Sequence, residues 1–586
     1  MADRPTPPSG GFDGDGEQGT MPELRESSDV VDAEGGPRAG RSASLSGATA
    51  IMASGTLVSR VLGFVRNALL VGAIGLNAFG ANAYDAANRI PNALYAVLAA
   101  GVLNAVLVPQ IVRAFRRPDG KRTVDRILTL GLAMSLGVTV LFTLAAPLVV
   151  RFYSSPSWSD DQRALATAFA FLVIPQLFFY AAYTILGQVL NAREQFGPYM
   201  WAPVLNNVVA IAGILVYLRL YGDFAEGTDN AAGWTADRIL WLALPATIAM
   251  AAQAAVLIWP MMRGGYHWRF QWRGPKGELS VVRTVAGWAL AGVIIEQIGM
   301  ALSVFVSSAA NPEGKFPGVA GNAAYFNALM IYLVPHSLVT VSILTALGTT
   351  IAKHYSVGDV DGMRRVVARG LRLIGAFTMF ASAALIVMAP MLVRTLLPKA
   401  KTVDVESVAP VLVALALGLV PLGAMVLVKR VYFELEDAKG IFLIHIPMTI
   451  AWAGIAFLGM ATLDRRWWTV CVALGLTLSN VVGLALRGNG LRKRLGGLGG
   501  QALLRVHVQA LIAALAAAAV GVALRVTVIP DVEQASSNPI LIGGFSCLVM
   551  GTAMAITYGA LLKLMHVSEI NSLIETVTRK LRRTVR

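Results

Sequence analysis

The chain runs to 586 residues, 56% of them hydrophobic and only 14% charged, with a formal charge of +15. A soluble protein of that length divides into domains with roughly a quarter of its residues charged, so the composition excludes an ordinary soluble enzyme. In water such a positive excess would suggest nucleic acid; among apolar spans it serves orientation, because Lys and Arg accumulate in cytoplasmic loops.

Residues 1–46 are rich in Pro, Gly, Ser, Asp and Glu and show no apolar periodicity. They cannot bury enough surface to offset their ordering entropy and should form a disordered cytoplasmic tail, either simply solvated or a docking element. The tail lacks the basic start and apolar stretch of a signal peptide. Apolar runs long enough to cross a ~30 Å hydrocarbon core then recur. Length and breaker residues place fourteen, at 48–74, 82–113, 127–150, 164–191, 199–221, 237–262, 281–310, 323–352, 372–397, 405–429, 440–462, 467–487, 504–528 and 539–565. The fold class is therefore all-α integral membrane. Pro91, Pro109, Pro175, Pro203, Pro335, Pro421 and Pro447 fall inside spans, where neighbouring helices re-satisfy the freed backbone groups.

The loops alternate in charge. Arg113, Arg116, Arg117, Lys121, Arg122 and Arg126 follow the second span; Arg263, Arg269, Arg273 and Lys276 follow the sixth. Lys353, Arg364, Arg365 and Arg369 follow the eighth, Arg492, Lys493 and Arg494 the twelfth, and the last span leads into a basic tail. The other side carries Asp160, Asp161, Asp223, Glu226 and Asp229, which predicts both termini in the cytoplasm. Ala83-Tyr84 in span two resembles Ala324-Tyr325 in span eight, and Asn191-Ala192-Arg193 resembles Asp437-Ala438-Lys439. Six helices separate the copies, so two six-helix lobes of like topology are expected at 47–273 and 274–495. Two further helices at 496–566 and a basic cytoplasmic tail at 567–586 complete the chain.

No P-loop, zinc-protease, nucleophile-elbow or paired-Cys motif occurs, and Cys471 and Cys547 are isolated. His336 and His445 read as local hydrogen-bonding groups. The chain is thus expected to be no enzyme and to hold no metal or cofactor, apart from a coupling ion or use of the membrane potential. Charges inside spans carry the information, because a cation at membrane depth normally faces a wet cavity or a partner. Arg60 and Arg66 in span one lie about 120° apart and about 9 Å along the axis, so both can border one broad cavity. Arg66 could instead snorkel to the interface. Asp85 and Arg89 in span two are spaced for an intrahelical ion pair; alternatively they gate the cavity, or Asp85 orients an arginine of span one. Glu296 in span seven is a candidate coupling-ion site or cavity acid, or the partner of an arginine from span one or two. A cavity lined by guanidinium groups suits an anionic head group, above all a phosphate or pyrophosphate.

Residues 57–67, Leu-Val-Ser-Arg-Val-Leu-Gly-Phe-Val-Arg-Asn, with Tyr84-Asp85-Ala86 and Ile90-Pro91-Asn92, resemble the opening of the MurJ/MviN family of lipid II flippases. Leu190-Asn191-Ala192, residues 202–207 and residues 430–437 continue the likeness in order, over 48 to about 490. The resemblance implies a fold of the MOP exporter superfamily in a bacterial inner membrane. Its implied cargo is the undecaprenyl-pyrophosphate-linked peptidoglycan precursor, and its functional arginines and helix-two Asp map onto Arg60, Arg66 and Asp85. Two departures stand out. Tyr95 and Ala96 replace an Arg pair after the Pro-Asn, and Asn327-Ala328-Leu329-Met330 replaces an Arg in helix eight; Arg89 is the candidate to supply one missing charge. The expected function is a lipid II flippase working by alternating access, with lipid II or a related lipid-linked anionic precursor, and membrane lipids, as partners. The alternatives are a cation-coupled small-molecule antiporter of the same superfamily, a flippase of another lipid-linked glycan, and a non-transporting scaffold that docks cell-wall synthesis proteins through the N-terminal tail.

Overall fold

The computed structural model describes residues 38–99, 111, 114–115, 120–193, 195–272, 283–435 and 437–567. Outside them lie most of the expected N-terminal tail, nearly all of the basic C-terminal tail, the end of the second span, and Arg113, Arg116, Arg117, Arg273 and Lys276. Contacts divide the chain into Met1–Ala50 and Ile51–Arg586. The described part of the first unit is the start of helix α1 (Arg38–Ile74), which therefore begins within the segment expected to be tail. Ala, Leu and Arg in residues 38–50 have helix propensity enough to extend a span that is already nucleated.

The second unit is a helical bundle without a strand among its described residues. After α1 come α2 (Phe79–Leu98), α3 (Gly120–Leu144), α4 (Ala146–Tyr153), α5 (Asp160–Val173), α6 (Gln176–Ala192), α7 (Phe196–Tyr221), α8 (Ala236–Ala255) and α9 (Ile258–Arg263), which pack chiefly on one another. A second group follows the same rule: α10 (Arg283–Ala310), α11 (Asn322–Pro335), α12 (Val341–Ser356), α13 (Val360–Leu396), α14 (Thr402–Ala416), α15 (Leu419–Glu434), α16 (Ala438–Thr462) and α17 (Trp468–Arg494). Two more, α18 (Gly500–Thr527) and α19 (Gly544–Leu564), pair with each other against α13. Among the described residues twelve helices are long and apolar enough to cross a membrane, thirteen if α14 and α15, bent by 46°, count as one span. The expected fourteen are not all present among the described residues: α2 covers only part of the second span.

Breaks fall where the sequence removes a donor or a side chain. Pro175 separates α5 from α6, and Gly418 separates α14 from α15. Pro335 precedes a wide turn, His336–Thr340, that joins α11 to α12. Pro91, Pro203 and Pro447 lie inside helices.

Two carboxylates outside the spans start helices. At the basic end, Asp359 accepts from Gly362 N at 2.7 Å to cap α13, and that bond, with His354 beside it, holds its carboxyl below the usual range. The preceding turn needs Gly358, at φ +70°. At the acidic end, Asp229 accepts from Phe79 N at 2.7 Å, Gly80 N at 3.0 Å and Trp234 Nε1 at 3.0 Å, so it stabilises the first turn of α2 from another loop. Burial nevertheless pushes its carboxyl above the ordinary value. Trp234 lies so close to α2 that a Cβ on Gly80 would fall 2.0 Å from its ring. Its indole also meets Phe169 edge-on at 5.4 Å, and Phe169 meets Tyr84 at 5.3 Å, locking α2 to α5.

Candidate functional site

Arg60 and Arg66 stand on α1, where the two helix groups face each other. Arg66 donates to Asn206 Oδ1 on α7 at 3.4 Å and lines a cavity of about 90 Å³ with Tyr84, Asn88, Asn92, Gln176 and Tyr180. A polar, enclosed lining of this kind is where a guanidinium at depth is least costly. Arg60 lies further toward the basic end and donates to Ser337 Oγ in the turn between α11 and α12, bridging the two groups; its buried Nε has no partner. Neither arginine is in an ion pair among the described residues.

Asp85 and Arg89 form the pair their spacing predicts, with Arg89 Nε and Nη2 donating at 2.9 and 2.7 Å. The pair also reaches across the bundle. Asp85 accepts from Asn322 Nδ2 of α11 at 2.8 Å, and the Arg89 guanidinium lies 3.1 Å over the Phe326 ring. Arg89 is therefore neutralised by Asp85, and the uncompensated positive charge on α1 belongs to Arg60 and Arg66, of which Arg66 lines the cavity while Arg60, Asp85 and Arg89 do not.

Around this pair the two groups join through amides. Asn67 donates to Asn327 Oδ1 at 2.5 Å, and Asn82 donates to the Asn311 carbonyl at 3.3 Å. Asn77 donates to Asp404 Oδ1 at 2.9 Å and Ser407 Oγ at 3.1 Å, and accepts from Gly321 N at 3.0 Å. Lys399 pairs with Asp223 at 2.5 Å, and Lys401 with Glu226, on the exposed rim. The groups are thus joined at the acidic end. Each stretch that departs from the arginine pattern holds one neutral polar group with a partner: Asn327 meets Asn67, and the Tyr95 hydroxyl meets Thr184 Oγ1 at 2.5 Å.

Glu296 on α10 has cationic neighbours within its own group of helices, rather than in span one or two: Lys429 of α15 and Arg487 of α17. Arg487 is fully buried, donates Nη1 to Met425 Sδ at 2.7 Å, and leaves Nε and Nη2 without partners. His445 of α16 lies near both cations, its Nδ1 also unpartnered. Sequence reasoning missed Lys429 and Arg487 because each ended an expected span, at 429 and 487. The helices run on to Glu434 and Arg494, which moves both cations inward. Among the described residues no group of His, Cys, Asp and Glu could hold a metal ion.

The lipid II flippase MurJ family model matches residues 73–533. The chain belongs to that family. A probable lipid II flippase MurJ of Rhizobium meliloti (strain 1021) is 25% identical over 401 residues, covering 67% of this chain and 70% of its own. The MurJ homologue of Haemophilus influenzae is 26% identical over 443 residues, covering 70% of this chain and 82% of its own. Among solved structures, a lipid II flippase MurJ in an inward closed conformation superposes with a TM-score of 0.65 at 18% identity, covering 87% of this chain and 99% of that one. An inward-facing multidrug resistance MATE transporter of the MOP superfamily superposes at 0.60 with 14% identity, covering 75% and 95%. These likenesses bear out the all-α membrane fold expected from the sequence.

Proposed function

We propose that this MurJ-family chain carries lipid II from the inner to the outer leaflet of the bacterial inner membrane by alternating access. The observation that supports this most is the pair of uncompensated guanidinium groups, Arg60 and Arg66, on one helix between the two lobes. Guanidinium forks match a pyrophosphate bidentately and keep their charge at any relevant pH. In this reading 47–273 and 274–495 are the rocking lobes, the basic end and both termini are cytoplasmic, and the amide-joined acidic end is the closed outer gate. The Asp85–Arg89 pair belongs to that gate, and the head group enters from the basic end to meet Arg60 first. Glu296, set between Lys429 and Arg487, balances internal cations rather than attracting a cationic cargo.

Purified protein should bind lipid II with an affinity that falls as salt rises and falls further in Arg60→Ala. Overexpression should confer no resistance to cationic dyes. Dye efflux that depends on Glu296, without binding of the pyrophosphate lipid, would replace this reading with a cation antiporter.

A further inference from the structure

The loop after α9 is tied to α3 by hydrogen bonds from its own side chains and backbone. Residues 266–272, Tyr-His-Trp-Arg-Phe-Gln-Trp, run as an extended strap along the start of α3. Tyr266 donates its hydroxyl to Asp125 Oδ1 at 2.7 Å, Trp268 Nε1 donates to the Asp125 carbonyl at 3.3 Å, and Gln271 N donates to Thr129 Oγ1 at 3.1 Å. Arg193 fixes the approach by donating to the Gly264 carbonyl at 2.5 Å. Those bonds hold the backbone in place, yet Trp268, Phe270 and Trp272 stay 42%, 72% and 57% exposed. Phe270 and Trp272 stack with their centroids 6.2 Å apart.

Beside the strap lies a groove of about 360 Å³, within the ~300–1,000 Å³ span of small-ligand sites. Its walls are Phe178, Phe179 and Leu186 of α6 with Leu132 of α3, and its floor includes the small residues Ala182, Ala251 and Ala255. From Leu186 to Phe178 it runs about 12 Å along the helix axis, toward the middle of the bundle. Polar character enters only at one end, where His267 and Trp268 form the mouth. Exposed Arg263 and Arg269 adjoin the lining residues Met262 and Trp268 in sequence, and Arg263 lies 5.3 Å over the Trp259 ring. The nearby carboxylate, Asp125, is buried and already held by Lys121 at 2.8 Å and by Tyr266.

An apolar slot parallel to the helices, with cations and aromatic rings at its mouth, fits an amphiphile with one acyl chain in the slot and an anionic head at the interface. We infer that this groove is a binding site for an anionic glycerophospholipid of the bilayer, separate from the cavity at Arg66. Charge complementarity selects an anionic lipid over the apolar helix of a partner protein, which would leave Arg263 and Arg269 without a counter-charge. The inference does not depend on which leaflet the basic end occupies.

Native mass spectrometry of the purified full chain, equilibrated with phosphatidylglycerol or phosphatidylcholine of the same acyl chains, tests the site. Wild type should retain one phosphatidylglycerol about tenfold more tightly than phosphatidylcholine. Ala255→Trp, which fills the floor from an exposed position, should lose that bound lipid. Arg263→Gln/Arg269→Gln, a surface pair that leaves the strap's hydrogen bonds intact, should abolish the preference and keep the weak phosphatidylcholine binding. Equal affinity for the two lipids in wild type, or an undiminished preference in the arginine double variant, overturns the inference. So does stoichiometric displacement of phosphatidylglycerol by lipid II, which would assign the groove to the cargo, or a polypeptide held at the groove in place of lipid.

Discussion

Substituting Asp85 and Arg89 one at a time and together measures what their ion pair contributes to the bundle. Two unit charges about 4 Å apart attract by about 4 kcal/mol at an effective dielectric of ~20. The side chains remain 21% and 33% exposed, so solvent screening and the cost of desolvation remove much of that. We expect a coupling of about 1–2 kcal/mol between the two residues. Asp85→Asn leaves Arg89 stacked on Phe326 with no counter-charge, and Arg89→Gln leaves a carboxylate held only by Asn322. Each single variant should therefore be less stable than the double variant Asp85→Asn/Arg89→Gln. The assay is reversible unfolding of the detergent-solubilised protein, with complementation of a flippase-depleted strain read in parallel. Single effects that simply add, with coupling within about 0.3 kcal/mol of zero, would refute the pair and make Asp85 a partner of something else.

Arg60→Ala should abolish complementation at normal protein levels, and Arg60→Lys should restore part of it, since a point charge replaces the fork; wild-type growth of the alanine variant removes Arg60 from the site. Cysteines at Ser44 and Gly227 should label differently with an impermeant thiol reagent, and labelling of Ser44 alone in intact cells reverses the orientation. Asn322→Ala removes one charge-assisted bond across the seam, about 1–2 kcal/mol, and should raise the accessibility of a cysteine at buried Ala78 from the outer side. An unchanged labelling rate there means that Asn322 does not hold the gate.

The spans were legible because a membrane crossing requires length and low charge, and both are written in consecutive residues. The pairing of Asp85 with Arg89 was legible for a related reason: a separation of four is local helix geometry. Glu296 was recognisable as an immersed carboxylate, but its neighbours were not, since Lys429 and Arg487 lie on other helices whose ends composition alone places too early. The seam was least visible. Neutral amides such as Asn67, Asn77 and Asn322 carry no charge to mark them, and their partners lie hundreds of residues away.

That seam bears on how readily the molecule can change shape. An apolar joint would resist parting in proportion to the surface it exposed, at about 25 cal/mol per Å². An amide that loses its partner can find water instead, so the net loss per bond is only about 0.5–1.5 kcal/mol. The amide bonds at Asn67, Asn77, Asn82 and Asn327 therefore specify register at little net cost per bond, beside buried apolar residues of both groups, such as Ala83, Ala87, Tyr325 and Ala328, that share one core. In the proposed alternating-access cycle these bonds part at little net cost each, and a bound anion that prefers the parted arrangement shifts the balance toward it.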